Sequence, residues 1–189
     1  MSEFNSLAGR LLIAMPGIGD PRFEHAVILI CAHGPDHAMG LRLNMPREGL
    51  ALADVLDRMD MPAPDGAERT RVLDGGPVDT ERGFVLHSDD IRINDASLTV
   101  VGGVELTATR EILAALSDPA IAPRKAVLAL GYAGWDKGQL ESELRDNVWL
   151  VADADETLIF DQDLDRKWEK ALKTLGVDPA FIAQTGGTA

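Results

Sequence analysis

The chain has 189 residues, with 18 Lys+Arg against 31 Asp+Glu, a formal charge of −13, and 46% hydrophobic and 26% charged residues. That composition excludes intrinsic disorder as the main state, and the length fits one domain that needs neither a disulfide nor a metal to hold it together. The negative charge repels phosphate backbones and anionic lipid, so it argues against direct nucleic-acid binding and against membrane association.

In chain order, apolar runs of five to eight residues bounded by Gly, Pro and Asp predict strands at 11–15, 25–32, 39–44, 70–73, 83–87, 97–101, 125–132, 147–152 and 156–160. The runs at 26–32 and 126–130 show no polar alternation and are the expected central strands. Helical spacing joins Leu52, Val55, Leu56 and Met59, and then Thr109, Ile112, Leu113 and Leu116. A short helix is expected over 139–145, with Leu140 and Leu144 on one face. Another carries Trp168, Ala171, Leu172 and Leu175, with Gly176 placed to cap it.

Most strands follow one another without an intervening helix, which predicts a mixed α+β domain with a largely antiparallel sheet. Met61-Pro62-Ala63-Pro64-Asp65-Gly66 is the most linker-like segment, so a sub-lobe boundary is expected near 61–66 within a single domain over 1–189. The lone Cys31 cannot form an internal disulfide, and no apolar run reaches the ~20 residues that span a bilayer. The apolar stretch 11–15 ends at Pro16-Gly17, too short for a signal core. A soluble cytoplasmic protein is expected.

Four stretches carry chemistry worth weighing. Cys31, His33 and His37 are zinc-type ligands, but Gly34-Pro35 breaks any helix there and no second ligand pair follows, so Cys31 reads as core packing. Asp161, Asp163 and Asp165 resemble the start of a calcium loop. Arg166 stands where the loop's Gly belongs and Leu172 where its bidentate Glu belongs, so these carboxylates are expected to serve a helix N-terminus. Asp74-Gly75-Gly76-Pro77-Val78 is a rigid turn, but it lacks the following helix and lysine of a phosphate cradle. Gly131–Gln139, with Tyr132 and Trp135, reads as a loop between a buried strand and a short helix.

No nucleophile elbow, Walker A, dinucleotide fingerprint or metalloprotease motif is present. The one enzymatic alternative pairs His33 or His87 with Asp74, Asp79 or Glu81 as an acid/base site. Neither a metal nor a cofactor is expected, and no catalytic residue is assigned.

Several strings together carry a family resemblance. They are Met15-Pro16 with Asp20-Pro21-Arg22-Phe23, Cys31-Ala32-His33, Ala38-Met39-Gly40-Leu41, Asn44-Met45-Pro46, and Asp74-Gly75-Gly76-Pro77-Val78. Gly83-Phe84-Val85-Leu86-His87-Ser88, Leu130-Gly131-Tyr132-Ala133-Gly134-Trp135, Gly138-Gln139-Leu140-Glu141, Asn147-Val148-Trp149-Leu150 and Trp168-Glu169-Lys170-Ala171-Leu172 continue it. Over about residues 5–183 the chain resembles the YqgE/AlgH family. It departs at an inserted Ile18-Gly19, at Met45, and at Arg42 in a strand that is otherwise apolar.

The resemblance implies a three-layer αβα main lobe with a smaller α+β portion, and no established enzyme activity. Members of the family carry a transcriptional-regulator label from an association with alginate production. The absence of a helix-turn-helix and the sign of the charge argue against direct DNA contact. The leading expectation is therefore a binding or regulatory module acting through a protein or small-ligand partner. Its expected surface comprises Asn44, Pro46, Asp74, Gly75, Gly76, Pro77, His87, Tyr132, Trp135 and Gln139.

Overall fold

A computed structural model describes residues 4–17 and 20–185; the expected insertion at Ile18-Gly19 lies outside them. Strands β1 (Arg10–Ala14), β2 (Val27–His33) and β3 (His37–Arg42) form an antiparallel meander. After them come β4 (Pro46–Ala51), α1 (Leu52–Arg58), β5 (Arg71–Asp74) and the long β6 (Val78–Ser88). Next are β7 (Ser97–Val101), β8 (Val104–Thr107), α2 (Arg110–Leu116) and the equally long β9 (Ala126–Asp136). The chain ends with α3 (Gln139–Arg145), β10 (Trp149–Asp153), α4 (Glu156–Ile159), α5 (Lys167–Thr174) and α6 (Pro179–Thr185).

The sheet is mixed and largely antiparallel, in the order β10-β1-β2-β3-β9-β6-β8-β7, with β5 and β4 attached beside β9. The one parallel pair among the described residues is β5 with β9, Leu73 opposite Ala129. Strand β9 is the joint of the molecule. Its first half lies against β6 and β5, and its second half against β3.

Alternation sorts the side chains into layers. Leu11 and Ile13 of β1 enter one core and Leu12 and Ala14 another, as period-two strands covered on both faces must. The first core collects Leu29, Leu41, Leu86, Leu106 and the buried face of α4 and α5. Strands from both ends of the sheet contribute to it, and a Cβ on Gly9 would lie 2.7 Å from the Val100 carbonyl oxygen. The sheet therefore curls, and this core fills its concave side. Helix α3 covers one part of the outer face through Leu140, Trp135 and Trp149. Helices α1 and α2 cover the rest through Leu56, Ile112 and Leu128. Each fully buried Leu or Ile contributes roughly 1.5–3 kcal/mol.

The mixed, largely antiparallel α+β expectation holds, and so do most elements. Helix α3 runs over 139–145 as expected. Gly176 (φ +70°) ends α5 with Val177 N–H donating to Leu172 O and Gly176 N–H to Lys173 O, a Schellman closure.

Helix α6 was not expected from the sequence, and four further features differ. Residues 156–160 were expected as a strand but form α4, because the Asp155 carboxylate accepts the Leu158 N–H at 2.7 Å and starts a helical turn. Strand β4 carries Glu48 and Gly49 and is half exposed, so it lacks the apolar run that marks a strand. Strand β8 is only four residues long, with Glu105 inside it. Strand β9 continues past the expected end at Tyr132 through Asp136, so Trp135 lies on a strand and not in a loop.

Arg42 leaves its strand buried, with only 5% of the residue exposed. Its Nε donates to the Asp74 carbonyl oxygen at 3.1 Å, its Nη2 pairs with Asp74 Oδ1 at 3.1 Å, and its Nη1 donates to the Arg22 carbonyl oxygen. A buried guanidinium is tolerated because it is paired and hydrogen-bonded.

Candidate functional site

The turn after β5 is a structural joint. The Asp74 N–H donates to Met45 O, the Gly75 N–H to Leu130 O, and the Gly76 N–H to Asp74 Oδ1 at 3.2 Å. All three donors that a phosphate would need are thus spent internally. The glycines are there for close approach. A Cβ on Gly76 (φ +151°) would lie 2.1 Å from the Tyr132 carbonyl carbon, and one on Gly131 (φ +76°) would lie 2.4 Å from Gly76 O. Backbone packs on backbone at this point, and β9 bends there. Asn44 is likewise a clamp: its Oδ1 accepts the Val27 N–H at 3.0 Å and its Nδ2 donates to His25 O at 2.8 Å. Pro46 opens β4 opposite Leu73.

Trp135, expected on a partner-facing surface, is only 5% exposed. Its indole Nε1 donates to Glu143 Oε2 at 2.9 Å, and Trp149 donates to the same oxygen at 2.7 Å. Gln139 accepts the Asp136 N–H at 3.1 Å and donates to Glu143 Oε1 at 3.0 Å, locking α3 to the end of β9. Pro77, Trp135, Gln139 and Trp149 line a cleft of about 370 Å³, with Arg22 and Phe23 on its other side.

His87 is fully buried and also leaves the proposed surface. Its Nδ1 donates to Ser88 O at 3.0 Å, which makes Nε2 the acceptor for the Thr107 hydroxyl at 2.8 Å. His33 Nδ1 accepts the Leu7 N–H at 2.9 Å, and its Nε2 donates to Glu141 Oε1 at 2.9 Å. Glu141's own backbone N–H and that imidazole hold its carboxyl below the usual range. Both imidazoles are therefore consumed by fixed hydrogen bonds, and no described cavity holds the two together.

Cys31 packs in the core, where burial pushes its thiol up to about 12. Among the described residues, no three His, Cys, Asp or Glu side chains gather as a metal site. The carboxylates expected at the start of α5 act elsewhere: Asp161 and Asp163 both pair with Lys170, at 2.6 and 3.3 Å.

A larger cavity, about 690 Å³, lies where the concave core runs out at one end of the sheet. Register explains its composition. Met39 faces Gly134 across β3 and β9, Val78 faces Tyr132, and Leu86, Leu106 and Leu98 form a row across β6, β8 and β7. The apolar lining comes from Met39, Val78, Phe84, Leu98, Leu106 and Tyr132. Phe84 and Tyr132 meet edge to face at 5.8 Å. Arg82 contributes a guanidinium 5.2 Å from the Phe84 ring centroid, while His37 and Asp136 stand opposite each other on β3 and β9.

Of the ten residues expected on the surface, Tyr132 and the buried Trp135 border this cavity, as do His37 and Val78 from the stretches weighed for other chemistry. The run Phe84-Val85-Leu86 is visible in the sequence as a buried strand. The cleft, however, needs β8 and the β7–β8 register, and β8 is an alternating stretch of only four residues, Val104-Glu105-Leu106-Thr107.

A family model described as AlgH-like matches residues 11–180. A UPF0301 protein of Caulobacter vibrioides is 54% identical over 183 residues, covering 97% of this chain and 94% of that protein. UPF0301 protein blr1492 of Bradyrhizobium diazoefficiens is 47% identical over 195 residues, covering 100% and 91%. The solution structure of the AlgH protein from Pseudomonas aeruginosa superposes with a TM-score of 0.79 at 36% identity, covering 100% of this chain and 99% of that one. The crystal structure of protein DIP2367 from Corynebacterium diphtheriae shares the fold, with a TM-score of 0.72 at 18% identity and coverage of 100% and 95%. With a family model spanning nearly the whole chain and relatives near half identical along their full length, this chain belongs to the AlgH/YqgE family.

Proposed function

We propose that this protein is a non-catalytic cytoplasmic binding module, and that the concave cleft between β3, β9, β6, β8 and β7 is its ligand seat. One observation carries the reading. Val78 and Leu98 are large apolar side chains left 38% and 49% exposed, and both converge on one cavity of about 690 Å³. That size and a largely apolar lining suit a small molecule, and scattered exposed hydrophobics would not gather in this way. The engaged hydrogen bonds of His33 and His87 favour binding over acid/base chemistry. A net charge of −13 favours regulation through a ligand over direct contact with DNA.

The neutral apolar dye Nile red tests the seat. Saturable one-site fluorescence enhancement is expected, with Leu98→Asp reducing it at least tenfold while the melting temperature stays within a few degrees. An absence of saturable binding, or equal binding by Leu98→Asp, refutes the proposal.

A further inference from the structure

Resting on that reading of the cleft, we infer that its ligand is an amphipathic monoanion, an apolar body carrying one carboxylate-like head that Arg82 receives. Three observations define this chemistry. First, the side chains that face the cavity from β3, β6, β8 and β9 are apolar apart from Arg82, His37 and Asp136. A ligand filling it must therefore offer apolar surface.

Second, Arg82 is the cation of the cleft and has no carboxylate partner among the described residues. Asp79, on the same strand, makes no ion pair with it, and two neighbouring acids are committed elsewhere. Glu81 pairs with Arg47 at 3.0 Å, and Asp74 pairs with Arg42 at 3.1 Å. Arg82 is exposed, and its guanidinium lies over the Phe84 ring at the cavity wall, leaving its fork of N–H donors for an anion.

Third, the acidic residue of the cleft, Asp136, makes no ion pair with Arg82. Gly83 is opposite Leu130 on β9, whereas Asp136 is six residues further along that strand. Asp136 therefore borders the same cavity as Arg82 without pairing with it. It also disfavours a second anionic group at the far end, which limits the ligand to one negative head near β6. In a chain with 31 acidic residues, an arginine beside this apolar cavity with no carboxylate partner among the described residues is the feature that selects the sign of the ligand.

Competition against Nile red measures this directly, with decanoate and decanol as chain-matched probes below their aggregation limits. Decanoate is expected to displace the dye about fivefold more tightly than decanol, near the upper end for an exposed ion pair. Arg82→Gln should abolish that advantage while leaving decanol unchanged, and Arg82→Lys should restore part of it. 1-Naphthoate in a parallel arm separates an aromatic from an aliphatic body. Equal displacement by decanoate and decanol, or an undiminished advantage in Arg82→Gln, overturns the inference. If Nile red binds but no anion displaces it, the inference fails and the cleft stands. If Nile red itself does not bind, the underlying reading of the cleft fails.

Discussion

Lys167 offers a quantitative test of how the concave core is closed. The residue is 1% exposed at the start of α5, and its ammonium donates to Ile159 O at 3.0 Å and Leu43 O at 3.3 Å. Burial pulls its pKa from 10.5 to about 8, with Asp161 acting weakly in the other direction and Lys170 adding to the depression. That gap corresponds to roughly 3 kcal/mol of cost for keeping the lysine charged in the folded state. The unfolded chain holds the proton more tightly, so it binds more protons between pH 8 and 10.5. Stability from this group therefore rises with pH across that window.

Between pH 7 and 9 the expected gain is about 1 kcal/mol. The acids held below their usual range, such as Asp20, Asp161 and Glu141, have finished titrating well before pH 7. Cys31, raised to about 12, favours the unfolded chain as pH climbs past 9, but it does so equally in any Lys167 variant. Lys167→Met fits the same volume and removes the titration. At pH 7 it loses two hydrogen bonds to carbonyls while shedding the charge penalty, so its absolute stability moves little. The slope is what discriminates. Urea denaturation at pH 7, 8 and 9 should show the parent gaining about 1 kcal/mol relative to Lys167→Met. Parallel slopes for the two proteins, or a parent that loses ground, would refute the burial argument.

Two further substitutions probe joints elsewhere in the fold. Glu143→Ala leaves the Trp135 and Trp149 indole donors without their shared acceptor and should cost about 2–3 kcal/mol in urea denaturation, at the lower end because the adjoining cleft admits water. A red-shifted tryptophan emission should accompany it, and a loss under 0.5 kcal/mol would show that the pair needs no anchor. Asp155→Ala removes the cap that turns 156–160 into a helix and should cost about 1 kcal/mol, with Asp155→Asn retaining most of the stability. Equal losses for both would mean that the cap is not what holds α4.

How legible this molecule is in its sequence depends on where the information resides. Runs such as Ala26–Cys31 declare themselves because both faces of β2 are covered, and α5 because Trp168, Ala171 and Leu172 repeat on one face and Gly176 stops it. Leu158-Ile159-Phe160 does not, since three apolar residues suit a strand and a helical turn equally, and the deciding contact is one carboxylate at Asp155. The expected surface rests on a similar ambiguity. Gly75, Gly76, Trp135 and Gln139 look unusual because they solve a packing problem, a backbone crossing and a double indole anchor, and such residues are rare for structural reasons as readily as for functional ones. The cleft is made of ordinary residues, Met39, Phe84, Leu98 and Leu106, whose meeting depends on registers between strands far apart in the chain, such as Met39 opposite Gly134.

The net charge sharpens once it is placed on the fold. Residues 136–170 hold 11 acidic and 5 basic side chains, −6 of the total of −13. Many of those acids have local duties: Glu141 receives His33, Glu143 two indoles, Asp155 a helix start, Asp153 Arg10, Glu156 Lys125, and Asp161 with Asp163 Lys170. Spent in this way, they still repel a polyanion from a distance. They offer it no stripe of cations at contact, which is what phosphate binding requires. At the cleft the order reverses. Arg82 is uncompensated within its own few ångströms, and at an ionic strength of 0.15 M the field of distant acids fades beyond about 8 Å. A small monoanion with an apolar body therefore meets weak long-range repulsion and a local cation, whereas a nucleic acid meets the repulsion along its whole length.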